Sequence, residues 1–487
     1  MKRVVVMLML GFFARSVVAL DVDINALKGV YWYGLYLNGQ KSGWSKTDIE
    51  VHDDKTISIS EDAVIRVSMA GMHQDMQFNS KRVYAPDGSL MRIDSTVDDP
   101  SGKSVFVAIV SGDKLKFTST VAGTSNEEDL PRPKETLDDI LKQRNLVGPD
   151  AKVGDKLTFN YFEPLYKKEL HGQSTIVKEE QRRFDGALTN VFVVKTKVDA
   201  LNLDTLSYVT ENGTLLEDVT AGFITMRLEP KQMAKDVTYS NDVTVANAVM
   251  LDHPIADPRT RQELHLQLDG PLTNEHIYND ERQHMAAENG HFDFTSHALS
   301  LKGFKSPKIP LKLDANVAQW LKPTMFVQSN DPRLIAKAKE IIGDETDAEA
   351  ISEKLCHWVY QHVESRYSAR LTNALEVLNS LEGDCTEHSV LFVGLARAAG
   401  LPAREVAGLV YVNEPEPGFF FHQWAKVWIG KWIDVDPTFD QPVADTTHIK
   451  LSEGDLLAQT RLIPVIGRIK IKVLDNETAT TKGDKSD

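Results

Sequence analysis

Two kinds of hydrophobic spacing divide the chain. From about residue 29 to 245, apolar and polar residues alternate in short runs separated by Asn38-Gly39, Asp87-Gly88, Gly112-Asp113 and Asn212-Gly213. Alternation puts every second side chain on one face of a strand. Dipeptides of this kind accept the positive φ of a tight hairpin turn. The pattern predicts antiparallel β-structure, beginning with Val30 to Leu37 and turning into Gln40 to Glu50. The segments KRVYAPDGSLMRID and SYVTENGTLLEDV repeat one strand–turn–strand rhythm, compatible with two related sheet halves. Between them, SNEEDLPRPKETLDDILKQRN reads as a polar linker running into one short helix.

Past residue 250 the signal weakens. Pro254 and Pro258 mark a boundary, His265 to Leu268 alternates like a strand, and NDERQHMAAENG is too polar and irregular to assign. From Asp331 the spacing becomes helical, with Leu334, Ala338, Ile341 and Ile342 on one face. A second helix is expected over Asp347 to Glu364, with Ile351, Leu355, Trp358 and Val359 inward. Ala374 to Leu378 forms a further apolar turn, and a strongly apolar helix starts at or near Cys385 and stops at Gly400, where Pro402 reinforces the stop. Glu405 to Val412, Phe419 to Ile429 and Lys431 to Val435 then read as strands, the last two joined at Gly430-Lys431. Helices followed by antiparallel strands predict an α+β domain with the cysteine-bearing helix packed on the sheet.

The expected organisation is a signal peptide over 1–19, a β-rich domain over 20–249, a β-rich connecting region over 250–330, a catalytic domain over 331–475 and a polar tail over 476–487. Its first part rests on Lys2 and Arg3 ahead of the apolar run Val4 to Ala14, with small residues at Ser16 and Ala19. Arg15 sits awkwardly in that scheme. Cleavage after Ala19 would release the chain into a periplasmic or extracellular space, and membrane association is expected only if the segment is retained. A length of 487 residues requires more than one core, and 42% hydrophobic with 26% charged residues is ordinary globular composition. The net charge of −15 argues against nucleic-acid partners, since phosphate contacts need a basic surface.

Only Cys356 and Cys385 are present. A reactive cysteine needs its thiolate, which a helix N-terminus and a neighbouring imidazole both favour. A third group must then hold that imidazole in orientation. Cys385 follows Gly383-Asp384 at the start of its helix, while His422 in FHQWAKVWIG and Asp436 in KWIDVDPTF lie on two strands joined by a tight turn. Pairing of those strands would bring the base and its orienting carboxylate into one hairpin.

Three blocks here resemble the transglutaminase-like superfamily of papain-like cysteine enzymes. Gly383 to Arg404 is similar to its GDC-x-E-[HYF] block with the following RAxGxPAR, His422 to Trp428 to its H-x-W-x-x-[VL]-W, and Trp432 to Thr438 to its W-x-x-x-D-P-T. Thr372 to Leu378 resembles the lead-in to the cysteine. The resemblance covers roughly the last third of the chain. It implies Cys385 as nucleophile, His422 as base and Asp436 as the orienting residue, with Asp434 the rival carboxylate. It further implies acyl transfer on peptide or amide bonds of a protein or peptide substrate, with no cofactor or metal. Hydrolysis is the leading expectation for an exported member, protein cross-linking the alternative, and an envelope-binding protein with an inactive or regulatory domain the reading of another class.

Other residues carry blander expectations. Cys356 reads as a buried thiol beside Leu355 and Val359. His388 could form half a zinc site with Cys385, but no second ligand pair stands at suitable spacing, so helix packing is expected. Gly102-Lys103-Ser104 ends like a phosphate loop, yet residue 97 is valine where glycine is required. Trp424, Trp428 and Trp432 read as core, with Trp424 also a candidate lining of a substrate cleft. Of the oxyanion donors, only the Cys385 N–H can be assigned from sequence.

Overall fold

The computed structural model describes residues 28–474 except 70–71, 101, 122, 142–145, 149, 200–202, 238–246, 368–371 and 415. The expected signal peptide and polar tail lie outside the described residues. The described residues form two compact units, one drawn from within 28–243, 366–376 and 456–463, the other from within 244–365, 377–455 and 464–474.

The first unit is built on a 14-stranded antiparallel sheet. Its first eight strands, between Gly29 and Pro131, follow one another as neighbours, as do the next six between Lys156 and Leu228. The first strand, Gly29–Leu37, pairs with the last, Ile224–Leu228, so the two runs form one continuous sheet rather than separate halves. The sheet folds back on itself. Arg82, on Met72–Tyr84, donates to Glu135 Oε1 and Oε2 at 2.8 and 2.9 Å and to Phe162 O at 3.0 Å, on a strand far away in sheet order. Phe117 and Phe162 pack edge to face at 6.3 Å in the same interior. SNEEDLP is not a linker: Thr124–Pro131 is a sheet-edge strand. Its run of exposed acidic residues concealed it, because an edge strand needs no apolar face. The short helix expected after it is Leu137–Ile140, closed by a capping box from Thr136 and Asp139.

In the second unit, Gly418–Trp428 pairs with Ala403–Val412, Trp432–Val435 and Val249–Met250, and Ala403–Val412 pairs with His448–Glu453. A four-stranded sheet joins Gln283–Glu288, His291–His297, Glu263–Asp269 and Lys470–Val473. The expected limit near 331 therefore falls inside this unit, because strands from 249–297 pair with strands after 400. The polar stretch left unassigned contains Gln283–Glu288, which turns at Asn289-Gly290 into the next strand.

Helices Pro332–Ile342 and Ala348–His362 start on Asp331 and Asp347, whose carboxylates accept backbone N–H bonds, and both present apolar stripes inward. Helix Cys385–Ala398 packs on both and on the strand Gly418–Trp428, buried nearly all round. The family-like region thus has the predicted α+β arrangement, with the cysteine helix against an antiparallel sheet.

Candidate active site

Local sequence fixes the start of the cysteine helix. Asp384 is its N-cap: its carboxylate accepts from Thr386 N at 2.9 Å, and Glu387 Oε2 accepts from Asp384 N at 2.8 Å. Gly383 is required beside this box, since a Cβ there would come 2.1 Å from the Cβ of Glu387. Cys385 is the first helical residue, where backbone N–H groups lack intrahelical acceptors and the helix dipole favours a negative charge. Ser389 Oγ lies 2.6 Å from Cys385 O and 2.9 Å from Gln423 O, linking the cysteine's own turn to the strand that carries His422.

His422 lies opposite Gly408 in the sheet register. Gly408 is indispensable there, since a Cβ would fall 1.9 Å from Ile449 O. His422 Nε2 is 2.7 Å from Asp436 Oδ2, and the Cys385 sulfur is a second neighbour of the ring that acts on its charge. The ring is flanked by near-parallel Phe439 and Trp424, with centroids at 5.1 and 6.0 Å. Asp436 follows the strand Trp432–Val435 and opens a tight turn in which Thr438 N donates to its Oδ1 at 2.8 Å. Sequence reasoning placed Cys385, His422 and Asp436 at one point, and the fold brings all three together.

The charges follow from these contacts. Burial opposes a charged His422, but Asp436 and the Cys385 sulfur outweigh it and raise the imidazole to about 10. Burial would lift Asp436, yet the charge and hydrogen bond of His422 and a second hydrogen bond from His448 hold it well below the usual carboxylate range. Electrostatically this is the environment of an imidazolium beside an anion at neutral pH. Cys356 differs: burial, with the charges of Asp436 and Asp440 added, pushes its thiol far up. Both cysteines are free.

The rival Asp434 is engaged elsewhere, 2.9 Å from Arg282 Nε and 3.2 Å from Lys450 Nζ. Through Lys450 and Lys426 it is joined to the part-buried Glu453 and the exposed Asp280 in one ionic cluster. Among the described residues, two groups have metal-like spacing, His422–Asp436–His448 and Asp280–Asp434–Glu453. In the first, both imidazoles already bond the carboxylate; in the second, Lys426, Lys450 and Arg282 occupy the position a cation would take. His388 braces the helix start, with Nδ1 2.8 Å from Asp384 O. Trp424 is fully buried, so it supports the His422 ring and does not line an open cleft. Sequence reasoning missed His448, whose Nε2 lies 2.9 Å from Asp436 Oδ2. Its only local signal was a polar residue in the alternating run HIKLS. A cavity of about 660 Å³ opens beside Phe439, with Arg259, Arg261, Tyr360 and Thr438 among its walls.

Residues 335–437 match the Transglutaminase-like superfamily, so the C-terminal part of the chain carries a transglutaminase-like domain. An uncharacterized protein of Haemophilus influenzae is 30% identical over 115 residues, 23% of this chain and 31% of the relative. The chain thus spans under a third of the length of that curated relative. Among solved structures, a Cytophaga hutchinsonii protein provisionally assigned as a cysteine protease covers 46% of this chain and 90% of its own at 17% identity, with a TM-score of 0.32. A β-barrel-like protein of unknown function from Brucella abortus covers 41% of this chain and 94% of its own at 11% identity, with a TM-score of 0.30. Scores this low carry no inference about this chain.

Proposed function

We propose that the transglutaminase-like domain is a cysteine-nucleophile enzyme that cleaves peptide or amide bonds, with Cys385 attacking, His422 moving the proton and Asp436 orienting the ring. The observation that carries this reading is the 2.7 Å hydrogen bond of His422 to Asp436 beside Cys385, which stands at a helix N-terminus.

In the reaction, the Cys385 thiolate adds to the carbonyl carbon and its negative charge passes to the carbonyl oxygen. In this reading the Cys385 N–H donates to that oxyanion. As the tetrahedral adduct collapses, the carbon–nitrogen bond breaks and His422 gives its Nδ1 proton to the departing amine, leaving a thioester. Neutral His422 then takes a proton from water, the hydroxide adds to the thioester, and collapse releases the carboxylic acid and restores thiolate and imidazolium. The cavity beside Phe439 offers room for substrate on the same unit. We propose further that the substrate is a protein or peptide met outside the cytoplasm, following the charged and apolar start of the chain.

The test is mass spectrometry of candidate protein substrates incubated with wild type and Cys385→Ala, with and without an added primary amine. Cysteine-dependent cleavage or deamidation with water is expected. Incorporation of the amine in preference to water would make the enzyme a cross-linker, and identical products from both proteins would defeat the enzymatic reading.

A further inference from the structure

We infer that His448 is a positioning residue for the proposed reaction: it clamps Asp436 so that one carboxylate oxygen stays aimed at His422. This rests on the triad reading above.

His448 opens the strand His448–Glu453 and is fully buried. Its backbone is held in place, with Arg282 Nη1 donating to His448 O at 2.7 Å. The ring spans two carboxylates, with Nε2 2.9 Å from Asp436 Oδ2 and Nδ1 3.1 Å from Asp445 Oδ1. Asp445 is itself pinned by Arg259 Nη1 at 2.9 Å, Gln441 Nε2 at 2.8 Å and Thr447 N at 2.8 Å. Every link from Asp445 inward is therefore a hydrogen bond to a group that is already fixed. The other rings facing His448 are Trp424 at 5.1 Å, His422 at 6.0 Å and Phe439 at 6.5 Å.

Without His448, Asp436 would keep one backbone donor, Thr438 N on Oδ1, and the imidazole it is meant to orient. A carboxylate so held can rotate about its Cβ–Cγ bond and pull His422 with it. The same burial also makes the ring's removal costly to the fold, so stability alone cannot separate positioning from packing. The pH dependence of Cys385 reactivity can, because packing has no proton to give.

The experiment uses full-length wild type, His448→Gln, His448→Asn and His448→Phe. Iodoacetamide labelling of Cys385 is followed from pH 5 to 9 and normalised to the folded fraction from circular dichroism. Glutamine can carry one N–H to the place of Nε2; asparagine is too short to reach it and phenylalanine has no donor. Asn and Phe variants should lose about tenfold or more of the low-pH rate per folded molecule, with the profile displaced to higher pH, while Gln retains most of it. If Asn labels like Gln and wild type, His448 is a packing residue and the inference falls; this comparison survives even if Phe does not fold. Failure of wild-type Cys385 to label preferentially at low pH would instead remove the triad reading itself.

Discussion

The thiol of Cys356 lies 3.8 Å from the backbone oxygen of Asp436, so the chain's second sulfur packs against the turn that carries the site's carboxylate. Proximity does not make it reactive. Its sulfur is buried and flanked by negative charge, both of which oppose the thiolate. Peptide mapping after iodoacetamide treatment at pH 6 should find the label on Cys385 and almost none on Cys356. Cys356→Ala should cost roughly 1–2 kcal/mol of stability through lost packing, measured by urea unfolding, and leave substrate turnover unchanged.

For the proposed triad, Cys385→Ala should abolish turnover with the fold intact, since a small residue replaces a small one. His422→Ala should be nearly as damaging. Asp436→Asn keeps the shape but loses the charge that favours imidazolium, and should cost ~10²–10⁴ in rate. Steady-state kinetics on the substrate found by mass spectrometry would check the order.

Asp434→Asn separates the two candidate carboxylates. It leaves Arg282 and Lys450 short of a counter-charge in a buried cluster, so the expected result is a loss of roughly 3–5 kcal/mol in denaturant unfolding. Labelling of Cys385 in the protein that remains folded should keep its wild-type pH profile. A displaced profile would mean Asp434 acts on His422.

His422 gives a pH dependence with a definite sign. Its imidazole is raised from 6.5 to about 10 in the folded state, so its contribution to stability is complete below pH 6.5 and is lost as pH rises through about 10. Turnover should share the alkaline limb, because the proton donor disappears there. Thermal melts between pH 6.5 and 10 should fall less steeply for His422→Phe than for wild type.

Glu163 in the N-terminal unit gives a second. Burial lifts its carboxyl from 4.5 to about 7 despite the Leu165 N–H and the charge of Arg82. Stability from the bound proton is complete below pH 4.5 and lost as pH rises through about 7. Glu163→Gln, which can keep an oxygen for Leu165 N, should therefore stabilise the protein above pH 7 by about 3 kcal/mol at most and change little at pH 4. Denaturant unfolding at the two pH values reads the difference.

How much was legible in the sequence followed the range of the interactions. The cysteine helix declares itself within a few residues: Asp384 caps it, Glu387 completes the box and Gly400 ends it. The hairpins at Asn38-Gly39 and Gly430 are equally local. Thr124–Pro131 and Gln283–Glu288 were not readable, because one is a charged edge and the other a short polar strand. His448 was hidden for another reason. Nothing near it in sequence resembles a functional motif, and its nearness to Asp436 depends on pairing of His448–Glu453 with Ala403–Val412, some forty residues earlier in the chain.

Asp436 accepts at both oxygens: Oδ1 takes the Thr438 N–H, and Oδ2 takes both imidazoles. Three donors converging on one carboxylate fill three of its four lone-pair sites and all favour the charged form, so a proton does not rest there cheaply. Asp436 is thereby a fixed anion of the site rather than a way-station. In the proposed cycle, each proton released or consumed must be shuttled among sulfur, the far nitrogen of His422, the leaving group and water, and the inner end of the chain stays electrically constant throughout a turnover.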